Sequence, residues 1–168
     1  MLDKPTEADI GEIIHLVERA GVFLPSDVEC VRELLQEYFH KPDHGGYEFL
    51  IYRQDGRPVG MACYGATPLT EGTFDLYWIA VAPEARRAGI GHRLMAEVEK
   101  EVRRLGARLL VIETSSTPGY RPAREFYLAH GCQRQATIPD FYAPGDDLVI
   151  YTKRFEERGS GVSGSQGT

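Results

Sequence analysis

No stretch of this sequence approaches the roughly 18 consecutive apolar residues of a membrane helix. Its first twenty residues carry acids in place of a signal-peptide core. The expected setting is the cytoplasm, with no membrane partner. Cysteine is scarce: Cys30, Cys63 and Cys132 are an odd number without metal-type spacing, which reads as reduced, mostly buried thiols and not a disulfide framework. Positive charge is not in excess either. With 19 Lys and Arg against 25 Asp and Glu, the net charge of −6 argues against a nucleic-acid partner while leaving room for a local basic patch. His40, Asp43 and His44 are close in sequence, but the intervening Lys-Pro does not fix them on one face, so no metal is expected.

What is present suits one folded unit. A chain of 168 residues, 42% hydrophobic and 26% charged, is long enough to bury a core, which we place over residues 1–157. The Gly- and Ser-rich stretch at 158–168 has the composition of a flexible tail.

Ile10, Ile13, Ile14 and Val17 recur at helical spacing after Thr6, which predicts a first helix over about 7–20, closed by Gly21. Ser26 and Glu29 form a capping-box pattern ahead of Val28, Val31, Leu35 and Tyr38, predicting a second helix to about His40. "YEFLIYRQ" and "VGMACYGA" flank "DGRP" and read as a hairpin, followed by a strand over Thr73–Val81. Ile90, Leu94, Val98, Val102 and Leu105 line a helix that ends at Gly106. "RLLVIET" is too continuously apolar for a surface strand, so a buried parallel strand after a right-handed crossover is expected. Pro122 opens a further helix to His130, closed by Gly131. A last hairpin follows, with strands near Cys132–Ile138 and Leu148–Arg154 joined by "PDFYAPGDD".

The segment "RRAGIGHRLM", Arg86–Met95, places two glycines and three arginines at the start of the crossover helix. Such a helix start gathers unpaired N–H groups and the positive dipole end, and so favours an anion. A P-loop would need its glycine-lysine signature, which is missing. A dinucleotide fingerprint begins with Gly89 and Gly91 but has Leu94 in place of the third glycine, and "APEARRA" separates the turn from its strand.

The run "WIAVAPEARRAGIGHRLM" resembles the acyl-CoA-binding motif of the GNAT superfamily of N-acyltransferases, with Arg86, Gly89 and Gly91 satisfying its core. The order of elements also matches that family over most of the chain. The resemblance implies a mixed α/β (α+β) fold: a mostly antiparallel twisted sheet of six or seven strands, splayed between the fourth and fifth and flanked by about four helices. It also implies acetyl-CoA as acyl donor. Its pyrophosphate would lie on the backbone of Arg86, Arg87, Ala88, Gly89, Ile90, Gly91 and His92. Main-chain atoms of Ile79 and Val81 would meet the pantetheine, one of their amides polarising the thioester carbonyl.

Transfer to an amine also requires proton traffic, because an ammonium must lose a proton before it attacks. By resemblance Asp75 sits where some members keep an acidic base, and Glu113 at the end of the neighbouring strand is its rival. "AREFYLAHG" resembles the family's second motif, which makes Tyr127 the acid that protonates the departing thiolate. Tyr120 stands where that family commonly has asparagine. The helix–loop–helix and last hairpin line the acceptor pocket in such proteins, bringing Phe23, Asp140, Phe141, Tyr142, Asp146 and Asp147 forward. Carboxylates and aromatic faces suit a cationic amine, although turn chemistry accounts for the Asp, Pro and Gly equally well. The expectation is therefore an N-acetyltransferase acting by direct transfer on a primary amine of a small-molecule or amino-acid-like acceptor, with a homodimer left open. A catalytically silent acyl-CoA-binding domain is the alternative.

Overall fold

The structure, a computed structural model, describes residues 1–156; the tail expected at 158–168 lies outside them. Its strands are β1 (Leu2–Asp3), β2 (Glu48–Gln54), β3 (Arg57–Ala66), β4 (Thr73–Val81), β5 (Leu109–Ser115), β6 (Gln133–Ala143) and β7 (Asp146–Arg154). The helices are α1 (Ile10–Arg19), α2 (Pro25–His40), α3 (Ile90–Arg104) and α4 (Arg121–Ala129). The strands form one sheet in the order β1-β2-β3-β4-β5-β7-β6. All neighbours are antiparallel except β4 and β5. No helix among the described residues is long and apolar enough to cross a membrane.

The β2–β3 hairpin turns through Asp55 and Gly56, both with positive φ (50° and 79°), the geometry of a tight primed turn. α3 then carries the chain from β4 to β5 as the expected crossover. It buries Ile90, Leu94, Met95, Val98 and Val102. Its first turn presses on β3 where Gly60 lies: a Cβ there would come within 2.8 Å of Ile90 Cγ2 and 3.0 Å of Leu94 Cδ1. Glycine at that position sets how deeply the start of α3 sits against the sheet. α1 and α2 bury Ile13, Ile14, Leu16, Val17, Val28, Val31 and Leu35 in the same core.

The parallel pairing of β4 with β5 is short. Thr73, Phe74 and Asp75 pair with Leu109, Leu110 and Val111, and beyond these the two strands separate. β4 continues against β3, and β5 against β7, so the sheet opens into a wedge between their C-terminal halves. A bulge assists: Cys63 faces Trp78 while Tyr64 faces Leu76, which leaves Tyr77 as the extra residue on β4.

Two local expectations are corrected, and one strand is new. α2 starts at Pro25, before Ser26, and Asp27 rather than Glu29 takes the free amide, accepting from Leu24 N–H at 2.8 Å. Proline suits the first helical position because it has no N–H to leave unpaired. The segment "PDFYAPGDD" is mostly strand, not loop. β6 runs to Ala143, which pairs with Asp146, and residues 139–142 bulge out opposite Asp147. Asp147 accepts from Asp140 N–H at 2.9 Å and Asp140 accepts from Gly145 N–H at 2.7 Å, so side-chain carboxylates pin a bulge that alternation alone would have ended. Finally, β1 was not anticipated, since two residues carry no readable alternation.

Candidate active site

The wedge between β4 and β5 is the entrance to a cavity of about 1140 Å³. Its β4 wall offers backbone. Ala82 N–H donates to Val59 O at 2.8 Å, and Gly60 pairs with Val81 and Ala62 with Ile79. In an antiparallel ladder this makes both pairs non-hydrogen-bonded, so the N–H and C=O groups of Ile79 and Val81 point away from β3 into the wedge. Both residues line the cavity.

The next wall is the turn into α3. Arg86 N–H reaches Pro83 O only at 3.3 Å, and the first bond of the helix runs from Arg93 N–H to Gly89 O. Between them, the amides of Arg87, Ala88, Gly89, Ile90, Gly91 and His92 have no protein acceptor among the described residues. Arg87 and Gly89 hold φ of 67° and 73°, the left-handed conformations that turn these amides outward in succession. Arg86 and Gly91 line the cavity; Arg87, Ala88, Gly89, Ile90 and His92 lie outside its lining, with Ile90 buried in the core. The Arg86 guanidinium donates from one nitrogen to Ala20 O at 2.5 Å, which ties the turn to the end of α1. A Cβ on Gly91 would meet the Phe126 ring at 3.3 Å, so glycine lets α3 approach α4 here. The two helices also meet through His92 Nδ1 and His130 Nε2, 2.6 Å apart with stacked rings.

Three candidate proton-transfer groups share the cavity. Asp75, on β4 at the last paired position, accepts from Thr67 Oγ1–H at 2.5 Å. Glu113 lies two residues beyond Asp75's partner Val111, which puts both carboxylates on one face of the sheet across the wedge. Glu113 makes no hydrogen bond or ion pair among the described residues. Tyr127, on α4, is 7% exposed, and burial, followed by the neighbouring Cys132, pushes its phenol well above the ordinary tyrosine range. Its hydroxyl has no protein partner among the described residues and is not sealed from solvent, and the residue lines the cavity. Tyr77, beside Asp75, is also pushed up to about 12, by burial first and that carboxylate second.

Of the residues expected at the acceptor, Phe23, Tyr142 and Asp146 line the cavity and Phe141 does not. Asp140 and Asp147 are engaged in the β6 bulge. Asp146 accepts from Ser115 Oγ–H at 2.5 Å. The cavity also collects Trp78 and Asp27, which sequence reasoning missed, beside Tyr120. Trp78 packs edge-on against Phe23 with centroids 5.4 Å apart, and Tyr120 stands 6.4 Å from Phe23. Asp27 enters from the first turn of α2. A motif search could not find Asp27, whose only local signal is a helix start.

A model of the acetyltransferase (GNAT) family matches residues 14–132. Relatives include the amino-acid acetyltransferase of Ralstonia nicotianae, 28% identical over 153 residues, which are 89% of this chain and 29% of that protein. The IAA acetyltransferase of Azospirillum brasilense is 30% identical over 114 residues, 67% of this chain and 70% of that one. Among solved structures, a GNAT-family protein from Desulfovibrio desulfuricans is 40% identical with a TM-score of 0.89, over 92% of this chain and 98% of that chain. The chain therefore spans less than a third of the length of the Ralstonia relative it matches.

Proposed function

Because the chain belongs to the acetyltransferase (GNAT) family, we propose that it moves an acetyl group from acetyl-CoA directly onto a primary amine of a small-molecule or amino-acid-like acceptor. One observation carries the reading: a single cavity holds the unpaired backbone of Ile79 and Val81, opens beside the amide run Arg87–His92, and is lined by Tyr127. The amide run fits a pyrophosphate, since successive N–H groups and the helix dipole supply positive potential without a committed side chain. An amide of Ile79 or Val81 donates to the thioester oxygen as negative charge grows there. Asp75 or Glu113 takes a proton from the acceptor ammonium, directly or through water, and frees the nitrogen lone pair for attack. Tyr127, still protonated at neutral pH, gives its proton to the sulfur as the carbon–sulfur bond breaks. It regains one from solvent afterwards.

The test is release of CoA thiol from acetyl-CoA with a panel of amines, together with calorimetry of CoA binding. Gly89→Glu is the control for the cradle. A Cβ at Gly89 meets nothing within 4 Å, so the variant folds at the cost of a strained φ, while its carboxylate repels the pyrophosphate. Binding lost in that variant and thiol release with at least one amine support the reading. Unchanged CoA affinity in folded Gly89→Glu moves the cofactor site elsewhere, and CoA binding without turnover of any amine leaves the silent binding domain.

A further inference from the structure

The cavity's lining is electrostatically one-sided. Asp27 on α2, Asp75 on β4, Glu113 on β5 and Asp146 on β7 all contribute to it, and there is no lysine or histidine among its residues. Its one arginine, Arg86, donates from one nitrogen to the neutral Ala20 O and keeps its charge, so carboxylates outnumber cations in the lining by four to one. Asp27 and Asp146 act on the same pair of phenols, and Glu113 acts on one of them. Tyr120 is pushed up to about 12 by burial, then by Asp27, Tyr142 and Asp146, and Tyr142 is raised by burial, then by Glu113 and Asp146. These carboxylates are only partly satisfied within the protein. One oxygen of Asp27 takes the Leu24 amide, one of Asp146 takes the Ser115 hydroxyl, and Glu113 has no partner among the described residues. Independently, Tyr127, more than nine-tenths buried, lines the same cavity, and its hydroxyl has no hydrogen-bond partner among the described residues.

We infer that the acceptor is a small polycation: an amine that carries a second positive charge and no carboxylate, the second charge being held by Asp27, Glu113 and Asp146 beside Tyr120 and Tyr142. The inference rests on the N-acetyltransferase reading and narrows it, setting free α-amino acids aside. An α-carboxylate lies next to its own amine, and here it would meet four carboxylates against the single guanidinium of Arg86. A lone ammonium drawn into such a cluster keeps its proton more firmly and attacks more slowly. The cluster helps the reaction only if it holds a charge that the acceptor never has to lose. The faces of Tyr120 and Tyr142 add cation–π attraction for the same charge.

The experiment compares three acceptors of equal chain length with acetyl-CoA as donor: cadaverine, pentylamine and δ-aminovalerate, which end in an ammonium, a methyl and a carboxylate. kcat/KM is expected to fall in that order, by about tenfold per step at low ionic strength. Added salt should narrow the gap between cadaverine and pentylamine. Asp27→Asn keeps an oxygen for the Leu24 amide while removing the charge, and it should cut the cadaverine-to-pentylamine ratio by about fivefold through KM. If δ-aminovalerate matches cadaverine, or the ratio is indifferent to Asp27→Asn, this inference falls and the acetyltransferase reading stands. If none of the three is acetylated and calorimetry finds no CoA binding, both fall together; no turnover with CoA still bound overturns the polycation alone.

Discussion

The proposed acid role of Tyr127 rests on one hydroxyl. Its ring is held by Phe126, centroids 5.8 Å apart, and by Tyr151 at 5.8 Å, so a phenylalanine keeps the packing and removes only the oxygen. Tyr127→Phe is expected to leave CoA affinity and Tm nearly unchanged and to lower kcat by about 10²–10⁴-fold. A thioester with a poorer leaving group should show the larger defect. Wild-type turnover with every donor would make the hydroxyl structural. For the base, Asp75→Asn and Glu113→Gln make opposite forecasts. The variant that removes the base loses rate at moderate pH and recovers as pH approaches the acceptor amine's own pKa, where free amine needs no help. We expect this profile for Asp75→Asn, the carboxylate set on β4 and oriented by Thr67; finding it for Glu113→Gln instead reassigns the role.

At the scale of elements, the site depends on α3 and α4 staying in register. Gly91 against Phe126 and His92 against His130 are where the cradle helix meets the helix of Tyr127. The 2.6 Å contact between imidazoles needs one nitrogen to accept, so it tolerates at most one added proton. Burial, followed by His92, lowers the pKa of His130 below 6.5, outweighing nearby Glu99, and Lys153 adds to the lowering. The sign follows: with the folded pKa depressed, the unfolded chain takes up protons first. The contribution is complete above about pH 6.5 and lost as pH falls through the folded value. His130→Gln removes this dependence. Its Tm should fall below that of the wild type by a few degrees at pH 8, and the gap should close by pH 5 in thermal melts. A gap that is constant with pH would mean the pair does not titrate as described.

For the molecule as a whole, the edge of the sheet is tied to the first helix by one ion-pair network. Arg53 on β2 donates from both terminal nitrogens to Asp9 at 2.7 Å and from Nε to Asp3 at 3.0 Å. Asp9 also accepts from the backbone and hydroxyl of Thr6. Both Arg53 and Asp9 are largely buried, and Arg53 holds the Asp9 carboxyl far below its ordinary 3.8. Arg53→Met strands that carboxylate and should cost roughly 2–3 kcal/mol in urea unfolding at pH 7. Because the Asp9 pKa is depressed, the wild type's advantage is present above about pH 3.8 and shrinks as pH falls further. A loss below 0.5 kcal/mol, as for an exposed surface pair, would show that water already satisfies both groups.

The sequence by itself determined what depends on local periodicity and local backbone chemistry. The spacing from Ile90 to Val102 gives α3, the alternation and aromatic content of Thr73–Val81 give β4, and Gly89 with Gly91 mark the turn whose amides point outward. Each of these is settled within a few residues, where helix and strand periods and left-handed φ are decided. Motif resemblance likewise carried Tyr127 to the wall of the cavity. Other features were decided only by tertiary structure. The wedge exists because β5 finds β7 on one side while β4 keeps β3 on the other, and no local pattern records where two strands part. The bulge of residues 139–142 depends on Asp147, reached only after the chain has turned. Asp27, Glu113 and Asp146 are separated by most of the chain and meet through packing, as do His92 with His130 and Asp9 with Arg53. Long-range contacts of this kind are fixed by how the burial of separate faces is reconciled in three dimensions, and a side chain's own neighbours in sequence do not encode that.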